Sequence, residues 1–427
     1  MNAQNHLLRF MKGLFIKTEN NVQINLFWNF ILLGFVTLPF GIQPSSFLFI
    51  LSMFFGVSSI FMIKKTYSLD IINWSFPLLF FLMTISLYYS YDVKEGLKLI
   101  ERSLPLIIFP IIFMFIRANK EIIDKVSKAF IFGIFITFIF NLIKAFYSSL
   151  TINEEGVNFN SAIKAGLNIE ESIIDGGNYF FGGYFSTFMH PSYVGLYVLV
   201  GIIYTLKSSL SRKIKLFLLI TLSVYIFFLS SKSALVLLLL IGVIFLIYYK
   251  NSSRIIIFST VAFLGILVFI NPRINQGIKR LNDFNLKENH KYTTSSQSRI
   301  LSWKVALDLI EKSPFLGYGV GDADKELLIG YLKSDYITNA ENEYNAHNQF
   351  LQTTLQVGVL GLILFLLPFA VIGYRVSNIY NLSMLIVLII SLVFESMLVR
   401  YNGIIFYSIV VPILLNKLDV TCNSKNI

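Results

Sequence analysis

Apolar runs recur along this sequence from about residue 24 to residue 416, each close to the roughly 20 residues that an α-helix needs to cross a hydrocarbon core. They are rich in Phe, Ile and Leu and show no regular alternation of apolar and polar positions. A membrane barrel is therefore excluded, and because lipid cannot satisfy open backbone groups, helices remain as the spanning element. A mean hydropathy of +0.69, with 55% hydrophobic and 14% charged residues, sets the chain apart from a soluble domain of 427 residues. The sequence predicts an all-α integral membrane protein of about 12 transmembrane helices with a long periplasmic loop carrying short helices.

The spans read at about 24–42, 46–63, 71–90, 103–117, 127–147, 184–206, 213–230, 233–249, 254–271, 349–372, 380–399 and 403–416. Around them the chain divides into a polar, basic segment 1–22, helices 1–9 over 23–271 with an acidic loop 148–183, a large loop 272–348, helices 10–12 over 349–416, and a polar tail 417–427. An even number of spans puts both termini on one side. With the termini inside, about 18 basic residues fall in inner segments against about 7 in short outer ones, so both ends are expected to be cytoplasmic and both large loops periplasmic. No small-residue cleavage site follows a short apolar core, so the first span is expected to stay as an anchor. A formal net charge of +11 sits in short loops between spans, where orientation and anionic lipid account for it, and nucleic-acid binding is excluded on that ground. The lone Cys422 in the tail leaves no disulfide framework and no thiolate metal site. The four histidines, His6, His190, His290 and His347, show no ligand spacing, so no metal is expected. No phosphate-binding loop of the ATPase type occurs either, so energy for a reaction must come from the substrate.

The residues that could carry chemistry gather toward the predicted outer side. Arg299 and Trp303 are one helical turn apart in a segment, Ser298 to Lys312, whose apolar positions fit a helix; that spacing sets guanidinium and indole on one face. A guanidinium matches phosphate oxygens with a fork of donors, although the same residue type also serves as an interfacial anchor. Pro314 ends the helix and Gly317, Gly319 and Gly321 turn the chain back; they lack the spacing of a dinucleotide loop and read as a tight turn for close packing. His347 stands at the start of the span at 349, where an imidazole could take a proton from a hydroxyl or merely cap the helix. Glu341, Glu343 and Asp324 are candidate carboxylates to orient it, or parts of a solvated face. Lys232, Arg102 and His190 also fall at outer ends of spans, and Arg400 and Glu395 flank the last outer turn; an anionic site requires such cations, and anchoring explains each of them singly.

Taken in order, Ser298-Arg299-x3-Trp303, Pro314-Phe315-x-Gly317-x-Gly319-x-Gly321 and His347-Asn348-x2-Leu351-x4-Gln356-x-Gly358-x2-Gly361 resemble the signature of the O-antigen ligase and O-antigen polymerase superfamily. The resemblance covers roughly residues 180–365. It implies a metal-independent inverting glycosyltransferase, without cofactor, that moves a glycan from undecaprenyl diphosphate at the periplasmic face of a bacterial inner membrane. It further implies His347 as the base acting on the acceptor hydroxyl and Arg299 as a diphosphate ligand; beside these, the cations Lys232 and Arg102 are candidate diphosphate ligands and Trp303, His190 and Asn348 candidate supporting residues. Ser230-Ser231-Lys232-Ser233-Ala234 is similar to the element where that family usually has Ser-Arg-Gly, and lysine keeps the charge but not the fork. A lipid A-core acceptor makes the chain a ligase; a second glycan makes it a polymerase, and a protein acceptor an O-oligosaccharyltransferase. A flippase or transporter for the lipid-linked glycan is the non-enzyme alternative, and it would place charge deep in the spans.

Overall fold

The computed structural model describes residues 15–17, 21–62, 71–153, 156–164, 166–249 and 293–423, with isolated positions between 262 and 279. The expected ninth span at about 254–271, the first part of the 272–348 loop, and His6 and His290 lie largely or wholly outside the described residues.

Helices dominate. In chain order they are α1 (Val22–Thr37), α2 (Ile42–Ile60), α3 (Ser75–Ser86), α4 (Val93–Ser103), α5 (Pro105–Phe115) and α6 (Lys120–Ser149). A hairpin, β1 (Leu150–Asn153) and β2 (Gly156–Phe159), leads to α7 (Ile169–Asp175), α8 (Gly182–Phe185), α9 (Pro191–Lys207), α10 (Arg212–Leu229) and α11 (Lys232–Tyr248). After the undescribed stretch come α12 (Ser295–Lys312), α13 (Ala323–Lys333), α14 (Ile337–Glu341), α15 (Gln349–Arg375), α16 (Ile379–Phe394), a 3-10 turn (Met397–Val399) and α17 (Tyr401–Asn423).

Among the described residues four helical segments, Val22–Phe40, Ile42–Ile60, Lys120–Ser149 and Gln349–Arg375, are long and apolar enough to cross a membrane; shorter apolar helices, among them α3, α9, α11 and α16, pack among them. This is a multi-pass membrane bundle. Contact between α1 and α6 is made at Gly133, whose missing side chain lets the α6 backbone reach that of Val36, the small-residue solution for helices that gain nothing by hiding from lipid. Aromatic rings fill the centre: Tyr197 of α9 lies 5.5 Å from Phe130 of α6 and 4.9 Å from Phe406 of α17.

Several expected boundaries move for local reasons. Instead of one span at 103–117, an amphipathic α4 ends at Ser103 and a short α5 begins at Pro105, a residue suited to a first helical turn. The span expected from 184 starts at Pro191, because His190 caps α9 by accepting from the Ser192 N–H at 3.4 Å. The 148–183 loop adds a two-stranded antiparallel hairpin to a fold expected to be all-α.

α15 is broken at Val357 and Gly358, the latter at φ 68°. Carbonyls freed by the break are taken up by the glycine turn: the Tyr318 N–H donates to Leu355 O at 2.7 Å and the Gly319 N–H to Gln356 O at 3.0 Å, while the Val359 N–H donates to Pro314 O at 2.9 Å. A side chain at Gly317 or Gly358 would run into the Leu355 or Phe315 carbonyl. The run of glycines is thus a docking surface for backbone on backbone, and it sets the direction of the first part of α15, at whose head His347 stands.

Candidate functional site

α12 opens where the Thr294 N–H donates to Gln297 Oε1 at 2.8 Å, a capping arrangement that fixes the start and rotation of the helix. Ser298 and Ser302, one turn apart, face Asn339, whose Nδ2 donates to the Ser298 carbonyl and to Ser302 Oγ, both at 2.9 Å. Arg299 and Trp303, the next residues along, consequently share the adjacent face. That face meets the segment before α15: Trp303 Nε1 points at the His347 carbonyl at 3.5 Å, and its ring lies 6.5 Å from that of Phe394.

His347 adopts φ 46°, a left-handed backbone that a residue with a side chain enters only when its surroundings hold it there. Here its N–H donates to Asn345 Oδ1 at 2.9 Å, and the N–H of Ala346 before it donates to Gln352 Oε1 at 3.0 Å. Asn348 after it caps α15, accepting from the N–H groups of Phe350 and Leu351, and gives its own N–H to Ser396 Oγ at 3.1 Å. The imidazole stands edge to face with Tyr344, ring centres 4.9 Å apart.

Its partner is Glu395, at the C-terminal end of α16. Nδ1 of His347 lies 3.1 Å from Oε1 of that carboxylate, and Nη2 of Arg299 lies 3.3 Å from Oε2. His190 Nδ1 approaches the same Oε2 at 3.9 Å. Only 8% of the Glu395 side chain is exposed. Burial pushes its pKa up, but the hydrogen bond from His347, the charge of Arg299 and, at the acid pH where the carboxylate itself takes a proton, the charges of His347 and His190 outweigh that and hold it at about 2. For His190, surrounding protein mass holds the pKa below the usual imidazole range in spite of Glu395, although 46% of its side chain is exposed.

Neighbouring side chains hold the turn that carries Glu395 and the start of α17 after it. Tyr193 of α9 donates to the Ser396 carbonyl at 3.3 Å, Tyr197 to the Asn402 carbonyl at 2.9 Å, Arg102 Nη1 to the Val399 carbonyl at 2.8 Å, and Gln349 Oε1 accepts from the Leu398 N–H at 2.6 Å. Lys232, at the first position of α11, donates to Ser296 Oγ at 2.9 Å; Ser296 and Arg299 lie three apart on α12, so both cations address one face of that helix. Arg400 is close enough to act on His190.

Of the residues singled out from sequence, His347, Arg299, Trp303, His190 and Asn348 therefore surround one carboxylate or its turn, Lys232 reaches the first turn of α12, and Arg102 reaches the Val399 end of the 395–399 turn. The sequence reading did not assign Glu395 a role. Glu341 and Glu343, weighed there as partners for the imidazole, are exposed, and Asp324 accepts from Gln352 Nε2 at 2.8 Å. The missed signal was a lone acid closing an apolar run, where an unpaired charge is costly and a partner is to be sought. Among the described residues no group of three or more His, Cys, Asp or Glu is arranged to hold a metal ion.

Chemically the cluster joins a base to a phosphate-type cation through one anion. A carboxylate can only accept, so Nδ1 of a neutral His347 carries the proton and Nε2 the lone pair. Arg299 uses one of its donors on Glu395, and its Nε is buried without a partner among the described residues. Residues 217–366, which include Lys232, Arg299, Trp303 and His347, match the family model Wzy_C, described as O-antigen ligase. No curated protein matches the chain. Glu395, His190 and Arg102 lie outside the matched stretch and come to the site through the packing of α16, α9 and α4. That family is one of membrane glycosyltransferases and ligases, which implies a lipid-linked glycan donor and an acceptor, and it is the family that residues 217–366 of this chain are similar to.

Proposed function

We propose that the protein transfers a glycan from undecaprenyl diphosphate to a hydroxyl of a cell-surface acceptor, with inversion at the anomeric carbon, in the manner of a ligase onto lipid A-core. The observation that carries the reading is the single buried carboxylate shared by His347 and Arg299. Nε2 of His347 removes the proton of the acceptor hydroxyl as its oxygen bonds to the anomeric carbon; the bond from that carbon to the diphosphate oxygen breaks, and its electron pair leaves on the diphosphate. Glu395 stabilises the imidazolium that forms. Free donors of Arg299, with Lys232 and Arg102 near by, offset charge building on the leaving group. Neither a metal nor another cofactor enters this scheme. Charge asymmetry of the loops supports a site on the periplasmic face of the inner membrane, with the 148–183 and 272–348 loops on that side and both termini in the cytoplasm.

Purified protein in vesicles containing undecaprenyl diphosphate-linked glycan, offered lipid A-core or a second lipid-linked glycan, tests this directly. We expect glycan on the acceptor and free undecaprenyl diphosphate in equal amount, with His347→Ala slower by about 10²–10⁴-fold. Retained activity in that variant removes the base, and no transfer to any acceptor removes the reading. Product made only from the second glycan would make the protein a polymerase acting through the same residues.

A further inference from the structure

The hairpin between α6 and α7 takes no part in the site, yet its register sorts its side chains sharply. Leu150 pairs with Phe159 and Ile152 with Val157. Paired residues project to the same side and successive ones alternate, so these four apolar side chains make one face and Thr151 and Asn158 make the other. The apolar face is open: Leu150 is 44% exposed, Ile152 82%, Val157 67% and Phe159 54%. A lone two-stranded hairpin showing such a face to water is marginally stable and prone to association, so this face requires a cover.

The helix it grows from identifies the cover. Phe132, Ile136, Phe140, Ile143 and Tyr147 are exposed at helical spacing along α6, an apolar stripe that in a membrane bundle faces lipid. The stripe ends where Lys144 and Tyr147 stand, residue types that settle at the headgroup boundary, and β1 begins less than one turn later. Phe159 continues it, its ring 6.1 Å from that of Phe146 on α6, and Phe146 lies 5.1 Å from Phe180.

We propose that the hairpin lies along the bilayer surface with Leu150, Ile152, Val157 and Phe159 set into the boundary between headgroups and hydrocarbon, and with its Thr and Asn face toward water. It is a surface anchor for the 148–183 segment, which leads directly to His190 at the head of α9. This inference stands on the hairpin register and the α6 stripe and does not depend on glycosyl transfer.

The test uses the full chain carrying Cys422→Ser, with single cysteines introduced by Ile152→Cys or Val157→Cys and, on the other face, Thr151→Cys or Asn158→Cys. Each is labelled with nitrobenzoxadiazole and reconstituted into phosphatidylcholine vesicles with and without 5-doxyl phosphatidylcholine. All four positions are exposed, so the label replaces no packing. Probes at 152 and 157 should be blue-shifted and quenched about threefold more by the doxyl lipid than by aqueous iodide, with the order reversed at 151 and 158. Equal iodide quenching on both faces would overturn the proposal. So would shielding of 152 and 157 from both quenchers, and cross-linking of Ile152→Cys between two copies would then assign the face to a second copy of this chain.

Discussion

Two regions that each draw residues from one motif, the cluster around Glu395 and the break in α15, work by opposite means. Around Glu395, function resides in side chains: an imidazole, a guanidinium and a carboxylate whose pKa is held at about 2 by its neighbours. Around the break in α15, function resides in the absence of side chains, since Gly317 and Gly358 let two backbones touch and exchange hydrogen bonds. The second region aims the first, because the break separates Gln349–Gln356, which carries His347 and Asn348 at its head, from the membrane-embedded remainder of α15. Residues of equal weight in a motif can thus be split into those whose side chains gather in a charged cluster and those that fix the geometry.

That division makes its strongest claim at Gly358. A Cβ there meets the Phe315 carbonyl, and φ 68° is strained for any residue that carries one. Gly358→Ala should lose about 3 kcal/mol or more, seen as a lowered Tm in detergent with transfer falling in step. Gly183→Ala, where an added Cβ meets nothing within 4 Å, should leave Tm unchanged. A Gly358→Ala protein with normal Tm but slow transfer would erase the division and move the glycine region into the chemistry.

Glu395→Gln probes the other side. Its amide fills the same space and still offers an oxygen, but it cannot stabilise an imidazolium by charge, so transfer should fall by about 10²-fold, close to 2.7 kcal/mol in the barrier, with the fold retained. Stability carries a sign as well. A carboxylate whose folded pKa lies below its ordinary value of 4.5 contributes stability above that value and loses it as pH falls toward about 2. The Tm advantage of the native protein over Glu395→Gln should therefore shrink as pH drops from about 5 to 3. An advantage independent of pH would mean that Glu395 is not the ionised centre of the cluster.

How much of this the sequence shows follows from the kind of interaction involved. The helical membrane bundle is legible because apolar runs near 20 residues have few other solutions. Arg299 and Trp303 are legible as a pair because four residues make about one turn. The glycine turn reads correctly as close packing, but its partner, the α15 break, does not show, since a hydrophobic run containing Gly358 scans as one continuous span. Glu395 is hidden for a different reason: it lies 48 residues beyond His347, and its role is created by α9, α15 and α4 holding one turn in place. Local periodicity carries no information on such contacts. The hairpin in the 148–183 segment is masked by its polar and acidic surroundings, and its meaning emerges only from the strand register.

The smallest effect expected is at Arg299, and it tests whether the cluster depends on charge alone. A guanidinium can keep Nη2 on Glu395 at 3.3 Å and still present other donors to a diphosphate, whereas an ammonium is a point charge that must divide itself between the two anions. Arg299→Lys should therefore raise the donor KM about 5–10-fold and lower kcat less, with Tm nearly unchanged. If the variant matches the native enzyme, the forked geometry carries no weight and the site is a collection of charges. If kcat falls as far as in Glu395→Gln while KM stays constant, the arginine acts through the carboxylate, and diphosphate recognition moves to Lys232 and Arg102.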